Sequence, residues 1–301
     1  MCDHCGLGRL SKRDVLTKNE FTPAEERVFQ TFLDDYVSAL RPLEEDIEAF
    51  VAQASDSDLA SLESIRSEIQ ARAGVYTADF DTVFRTNGEE GAAVGRQLAA
   101  NRQSLDVDFE IVPQRTLDII NEWSSTAAES TLETITEDSA RWLRGAHEDG
   151  LSIDDIAEQL NDELFEGRLE GYVAERASRT GVVATSNAGN HSAIQDSSAI
   201  AEEWVASLDG RERPDHGEAD GQIVPVDTAF QVGGVYMQHP GDPTAPVGQI
   251  ANCRCTVVPV FADQLTDEEL DAIESGERIK IVLSGRSRKI APDGSTEPLT
   301  G

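Results

Sequence analysis

The sequence predicts an α+β protein, with a long helical N-terminal region followed by a compact, loop-rich module of short strands. Two observations carry that prediction. Apolar side chains recur three and four residues apart over most of residues 22–208, the spacing of amphipathic helix. After Asp209 the texture changes: Pro, Gly and Asp become frequent and apolar runs shrink to strand length. A chain of 301 residues has room for two domains. The expected division is a Cys-containing head over 1–20, a helical domain over 21–170, an α+β module over 171–262, and a terminal helix with a flexible tail over 263–301.

Thr22-Pro23-Ala24-Glu25 reads as a capping box with proline at the first helical position. Behind it Val28, Phe29, Phe32, Leu33, Tyr36, Val37, Leu40, Leu43, Ile47 and Phe50 keep the helical spacing. Pro42 is expected to kink or split that run, since it removes a backbone donor. A second helix starts near Asp56, with Leu59, Leu62, Ile65 and Ile69 on one face, and Asn87-Gly88 reads as a break. Pro113 opens another long helix, striped by Leu117, Ile120, Trp123, Leu132, Ile135, Trp142 and Leu143.

After a turn at 145–150, Ser152 caps a helix running through Leu164 and Phe165. This segment has the outline of a small helix-turn-helix. Its would-be reading face carries Asp154, Asp155, Glu158, Asp162 and Glu163, which phosphate would repel, so a structural role is expected. From about 171 to 208 the helical pattern becomes rich in Ala, Ser and Thr, which predicts close helix packing. Strands are expected at 222–226, 235–238 and 256–261. Thr266-x-x-Glu269 caps a last helix ending near Gly276, and 284–301 reads as the tail, with a small basic cluster.

Fifty-seven Asp and Glu stand against 25 Lys and Arg, a formal charge of −32. Lysine occurs only at positions 12, 18, 280 and 289. Such a field repels phosphate, which argues against nonspecific nucleic-acid binding and against docking on an anionic membrane. Disorder is excluded for most of the chain by a hydrophobic content of 39% at helical spacing. Dense carboxylates with few lysines suit a protein kept soluble in molar salt. No run of 18 apolar residues exists to span a membrane. The opening Met-Cys-Asp-His-Cys-Gly has neither a basic n-region nor an apolar h-region, so no secretory signal is expected.

Chemistry-bearing residues concentrate in 204–255. Cys253 and Cys255, two apart on a strand, would place both thiols on one face about 4–7 Å apart. Two thiolates at that spacing are candidate zinc ligands, and His216 and His239 are the candidate partners, with Asp215 in reserve. At the other end Cys2-x-x-Cys5 is half a zinc ribbon, with His4 between. The two pairs could also form one four-cysteine site, or all four thiols could be free. Spacing does not choose among these. Arg211 and Arg213 beside Asp209, Asp215 and Asp220 read as a salt-bridged loop scaffold in preference to an anion site. Trp204 and Phe230 read as core anchors. His147 and His191 read as ordinary surface or capping histidines.

The order of these residues resembles the Mu F-like minor head proteins of tailed phages, also called head morphogenesis proteins. The resemblance rests on Arg179-Thr180, Trp204, Asp209, Arg213, His216, Asp220-Gly221, Phe230, the loop His239-Pro240-Gly241-Asp242-Pro243, and Asn252-Cys253-Arg254-Cys255. It spans roughly 171–261, and Gly181 stands where that family usually has Glu. The resemblance implies a minor virion protein inside the capsid near the portal vertex, made in the host cytoplasm and without a defining catalytic activity. It further implies contact with the portal protein and with major capsid or scaffold proteins, in head assembly, DNA packaging or ejection. Combined with the charge, it points to a tailed virus of a haloarchaeon. The basic clusters of the two end segments are where packaged DNA would be touched. The alternative reading is a hydrolase-like enzyme using His216 with a Cys or Asp partner or a metal-activated water. A DNA-binding protein ranks last, because molar salt would nearly abolish its phosphate contacts.

Overall fold

The computed structural model describes residues 21–103, 105–207, 210–281, 287–291 and 294–298. Cys2, Cys5, Asp209 and the basic residues of 1–20 lie outside them. The fold is α+β, with a long helical N-terminal region and then a small antiparallel sheet of short strands. The described residues form two units, each built from separated stretches: 27–90 with 117–182, and 21–26 with those of 91–116 and 183–298.

The first unit is helical. Helix α1 (Pro23–Gln53) starts at the capping box, where the Thr22 amide donates to Glu25 Oε2 at 2.9 Å and the Glu25 amide to Thr22 Oγ1 at 3.2 Å. It runs through Pro42 as one helix, so the expected split does not occur. Burial of Phe32, Tyr36, Leu40, Leu43 and Ile47, all at 0% exposure, spans the proline on both sides and outweighs the lost bond. Short α2 (Asp56–Leu59) and α3 (Leu62–Ala73) follow, bringing Leu59, Ile65 and Ile69 inside as their spacing predicts.

Helix α4 (Thr77–Gln103) passes straight through Asn87-Gly88. The Asn87 amide does not compete with the backbone as a turn residue would; it donates to Asp35 Oδ2 at 2.9 Å and to Val83 O at 3.0 Å. Edge-to-face rings join these helices to α5 (Gln114–Glu148): Tyr36–Phe80 at 5.3 Å, Phe32–Phe84 at 5.2 Å and Phe84–Trp123 at 5.5 Å. Gly181 abuts this cluster. A Cβ there would lie 2.9 Å from Phe32 Cζ and 3.2 Å from Trp123 Cη2, so a Glu at this position has no room.

Ser152 caps α6 (Ile153–Gln159) through a reciprocal box with Asp155. The helix α5, the turn at 149–150 and α6 give the helix-turn-helix outline the sequence predicts, and the chain then winds as a π-helix over Leu160–Val173 and continues as α7 (Ala174–Gln195) without a further turn. Gly167 suits the π winding, because a Cβ there would sit 2.8 Å from the carbonyl oxygen of Asp162, five residues earlier.

The second unit holds the sheet, ordered β5-β1-β2-β6-β7-β8 and antiparallel throughout. Its strands are β1 (Ala201–Val205), β2 (Gln222–Pro225), β5 (Thr256–Val260), β6 (Arg278–Ile281), β7 (Ser287–Ile290) and β8 (Thr296–Pro298). A separate hairpin pairs β3 (Phe230–Val232) with β4 (Val235–Met237). The 222–226, 235–238 and 256–261 strands are where the sequence predicts them. Strand β1 is not, since helix was expected to continue to residue 208. Helix α7 stops at Gln195, and all five residues of Ala-Glu-Glu-Trp-Val are buried between β5 and β2. Pairing on both sides overrides the helical preference of Ala and Glu. Composition predicts a flexible tail over 284–301, yet β7 and β8 lie within it, extending the sheet from the open edge of β6.

Side-chain alternation gives the sheet two apolar faces. Trp204, Val224 and Val257 join Phe230, Met237, Ile250, Cys253 and Cys255 in one cluster. Ala201, Ile223, Val260 and Ile279 join Ala272 and Ile273 of α10 (Asp267–Glu274) in the other. On the small-residue stretch of α7, Gly189 meets the α4 backbone at Ala92, and Gly95 of α4 meets Ser186, as the Ala/Ser/Thr composition predicts.

Candidate functional site

Two short helices and one strand lead-in converge on a buried cluster. Pro214 starts α8 (Pro214–Ala219), whose single full turn turns His216 inward to 2% exposure. Helix α9 (Val247–Ile250) carries Gln249. The chain then reverses through Asn252 at φ 55°, a left-handed conformation that Asn tolerates better than most residues. It enters β5 through Cys253-Arg254-Cys255, with both thiols buried and Arg254 half-buried between them. The alternation is that of extended chain, although the cysteines precede the hydrogen-bonded strand. Arg213 donates to Ala251 O at 2.6 Å and so pins the reversal. Asn187 of α7 donates to Cys255 O at 2.9 Å and Asn190 to Val257 O at 2.8 Å, fixing the strand behind it.

Nδ1 of His216 lies 3.4 Å from Cys255 Sγ and 3.6 Å from Cys253 Sγ. On the ring's other side, Nε2 meets Gln249 Oε1 at 3.0 Å, and Gln249 Nε2 donates to Asp215 Oδ2 at 2.7 Å. Trp204 packs edge-on against His216 at 5.6 Å and against Phe230 at 5.5 Å, and both aromatic rings are fully buried. Bonding to Cys255 holds the Cys253 thiol well below its ordinary range against the opposing cost of burial, and His216 adds to the effect. Cys255 is pushed up by its bond to Cys253 and by burial. Burial pulls the His216 imidazole down, but contact with Cys253 outweighs it and leaves the group raised. The Gln249 bond holds Asp215 below its ordinary range.

Two N/S chemistries fit such a cluster. A thiolate beside an imidazolium is the pairing that activates cysteine nucleophiles, and here His216 and both cysteines are only 2–4% exposed. Two sulfurs and one nitrogen gathered within 4.8 Å also make a soft-metal donor set.

The structure does not bring His239 to these thiols. It is buried at 3% exposure in the loop after β4, with Nδ1 3.2 Å from Pro240 O and its ring 5.7 Å from that of His191. Asp215 touches Gln249 and not the sulfurs. Asp220 accepts from the Ala206 amide at 3.1 Å, and the Gly221 amide donates to Trp204 O at 2.9 Å, so the Asp-Gly pair locks β1 to β2. The bonds of Arg213, Asp215 and Asp220 described here thus run to backbone and amide groups. The loop 239–243 is closed by Asp242, which accepts from the amides of Gln238 at 2.6 Å and Thr244 at 2.9 Å.

One buried polar group escaped the sequence. His191, expected at the surface, is 8% exposed, with Nδ1 2.8 Å from both carboxylate oxygens of Glu202. Burial raises Glu202 against the pull of His191, and burial with the neighbouring His191 lowers His239 to about 4. The available signal was Asn187, Asn190 and His191, spaced three and four apart as one polar stripe on an otherwise small-residue helix.

Residues 140–258 match the family of Phage Mu protein F like proteins. The Mu F-like segment contains His216, Gln249 and both cysteines, and begins earlier than the resemblance in the motifs, within α5. Uncharacterized protein YqbB of Bacillus subtilis (strain 168) is 29% identical over 211 residues, covering 65% of this chain and 67% of that protein. No solved structure gives a significant match. Among the described residues no helix is long and apolar enough to cross a membrane.

Proposed function

We propose that this chain is a minor structural protein of a tailed-virus head, lying inside the capsid near the portal vertex and acting in head morphogenesis. The observation that carries this reading is the Mu F-like match over 140–258, which takes in most of the sheet core and the whole His–Cys–Cys cluster. Its partners are the portal protein and the major capsid or scaffold proteins, and its stage of action is DNA packaging or ejection. The charge of −32 with four lysines supports a host with a saline cytoplasm, such as a haloarchaeon. An acidic surface also avoids sticking to packaged DNA, leaving contact to the basic clusters near the ends. The buried thiols support a structural role over a catalytic one.

The test is a virus whose gene for this chain carries an early stop codon, with the protein content of purified particles measured by mass spectrometry. The chain should be present in wild-type particles far below the major capsid protein, and its loss should give empty or non-infectious heads. Infectious, DNA-filled particles formed without it would overturn the assignment. A hydrolase predicts something different: His216→Ala would abolish an activity while leaving the fold and particle incorporation intact.

A further inference from the structure

We propose that His216 Nδ1, Cys253 Sγ and Cys255 Sγ are ligands of one zinc ion, and that Gln249 and Asp215 set the histidine tautomer for it. The site stands on the geometry of this chain and goes beyond its placement in the virion. Zn–S bonds of about 2.3 Å and Zn–N bonds of about 2.0–2.1 Å, at tetrahedral angles, put a ligand nitrogen about 3.5 Å from each ligand sulfur. The two separations here are 3.4 and 3.6 Å. The three donor atoms lie within 4.8 Å of one another, and all three residues are buried.

Tautomer logic supports the same assignment. The Asp215 carboxylate only accepts, so the amide end of Gln249 that faces it at 2.7 Å is the NH2. The carbonyl end therefore faces His216 Nε2 at 3.0 Å, and that nitrogen must carry the hydrogen. In the neutral ring that a metal requires, Nδ1 then holds the lone pair, on the side of the two sulfurs. Metal-bound histidines are held in this way, by a carbonyl or carboxylate on the nitrogen away from the metal. Two thiolates and one imidazole select zinc over calcium or magnesium, which take oxygen ligands.

Zinc would tie α8, the turn after α9 and the β5 lead-in together. This part of the sheet unit has strands of three to five residues, so ligand bonds would add directly to folding free energy.

The experiment uses the full chain, purified without chelator from zinc-supplemented medium, with metal measured by elemental analysis. Cobalt(II) exchange then reports thiolate ligation through its near-ultraviolet charge-transfer band. About one zinc per chain and a thiolate–cobalt band are expected. Cys2→Ser with Cys5→Ser should leave both in place. Gln249→Leu keeps every ligand but removes the acceptor on Nε2, and should weaken zinc affinity roughly 10- to 100-fold while the far-ultraviolet dichroism is unchanged. A folded chain that binds no zinc on titration would overturn the site. So would metal retained by Cys253→Ser with Cys255→Ser but lost from Cys2→Ser with Cys5→Ser. Undiminished affinity in Gln249→Leu would overturn the tautomer assignment. None of these outcomes depends on whether the chain resides in a virion.

Discussion

Replacing Gly95 or Gly189 with alanine tests the packing of α4 on α7. Intrinsic propensity favours both changes, since alanine in a helix interior is about 1 kcal/mol better than glycine. The structure predicts the opposite sign. A Cβ at 95 would lie 2.6 Å from the Ser186 carbonyl carbon, and one at 189 would lie 2.7 Å from that of Ala92. Carbon atoms pack at about 3.5–4.0 Å, so each methyl is too close by about 1 Å, and the obstacle is backbone that no rotamer change can move. Overpacking costs about 1–3 kcal/mol, and a rigid obstacle puts these sites at the upper end. Net destabilisation of about 2 kcal/mol is expected for each, read as a lower urea midpoint at constant slope. One parting of the helices relieves both clashes, so the double variant should cost less than the sum of the singles. Gly145→Ala is the control: nothing lies within 4 Å of its Cβ, and it should stabilise by up to about 1 kcal/mol. If Gly95→Ala and Gly189→Ala behave like Gly145→Ala, the close approach of α4 and α7 is wrong.

Three further predictions follow from other parts of the molecule. Arg96, at 3% exposure, bonds Asp108 O at 2.8 Å, Ser192 Oγ at 2.8 Å and Asp196 Oδ2 at 2.6 Å. Arg96→Leu should cost about 1–3 kcal/mol in denaturant unfolding, since Asp108 O and Ser192 Oγ lose a donor while the partly exposed Asp196 keeps Arg115, and Arg96→Lys should recover little, because one ammonium cannot span that fork of partners. Glu44 is pushed up to about 8 by burial first and then by the Glu170 carboxylate, with Arg41 opposing. A raised folded-state value means its contribution to stability is full below the ordinary carboxyl range and is lost as pH climbs through about 8. Glu44→Gln should therefore flatten the stability profile between pH 5 and about 8, where the parent's slope approaches about 1.4 kcal/mol per unit, and an unchanged profile would refute the assignment. With a charge of −32, thermal unfolding should shift upward by several degrees between about 0.1 M and 1 M KCl, as the screening length falls from about 10 to 3 Å. A melting temperature indifferent to salt would remove the halophilic reading.

Signals confined to a few neighbouring residues were legible in the sequence. Thr22, Ser152 and Thr266 each cap a helix through a partner three residues on, as written in the chain. Most of the apolar stripes of α1 and α5 are buried where the period places them, with Leu33, Val37, Leu117 and Trp142 only partly so. The candidate zinc site was partly legible as well. Cys-x-Cys needs only the two-residue alternation of extended chain, and His216 was nominated from residue type.

What the sequence by itself determined is the fold class, the starts of α1, α2, α5, α6 and α10, most of the core stripes and the Cys-x-Cys motif. These follow from local periodicity and hydrogen-bond reach within a turn or strand. The tertiary structure alone decided that Ala201–Val205 is a central strand, because pairing on both sides outweighs local propensity. It carried α1 through Pro42 and α4 through Asn87, because long-range burial and a bond to Asp35 override a local break. It separated His239 from the thiols and buried His191 on Glu202, and it placed Gln249 and Asp215 behind His216. Those contacts join residues 11 to 59 positions apart, and such distances are set by how the elements pack.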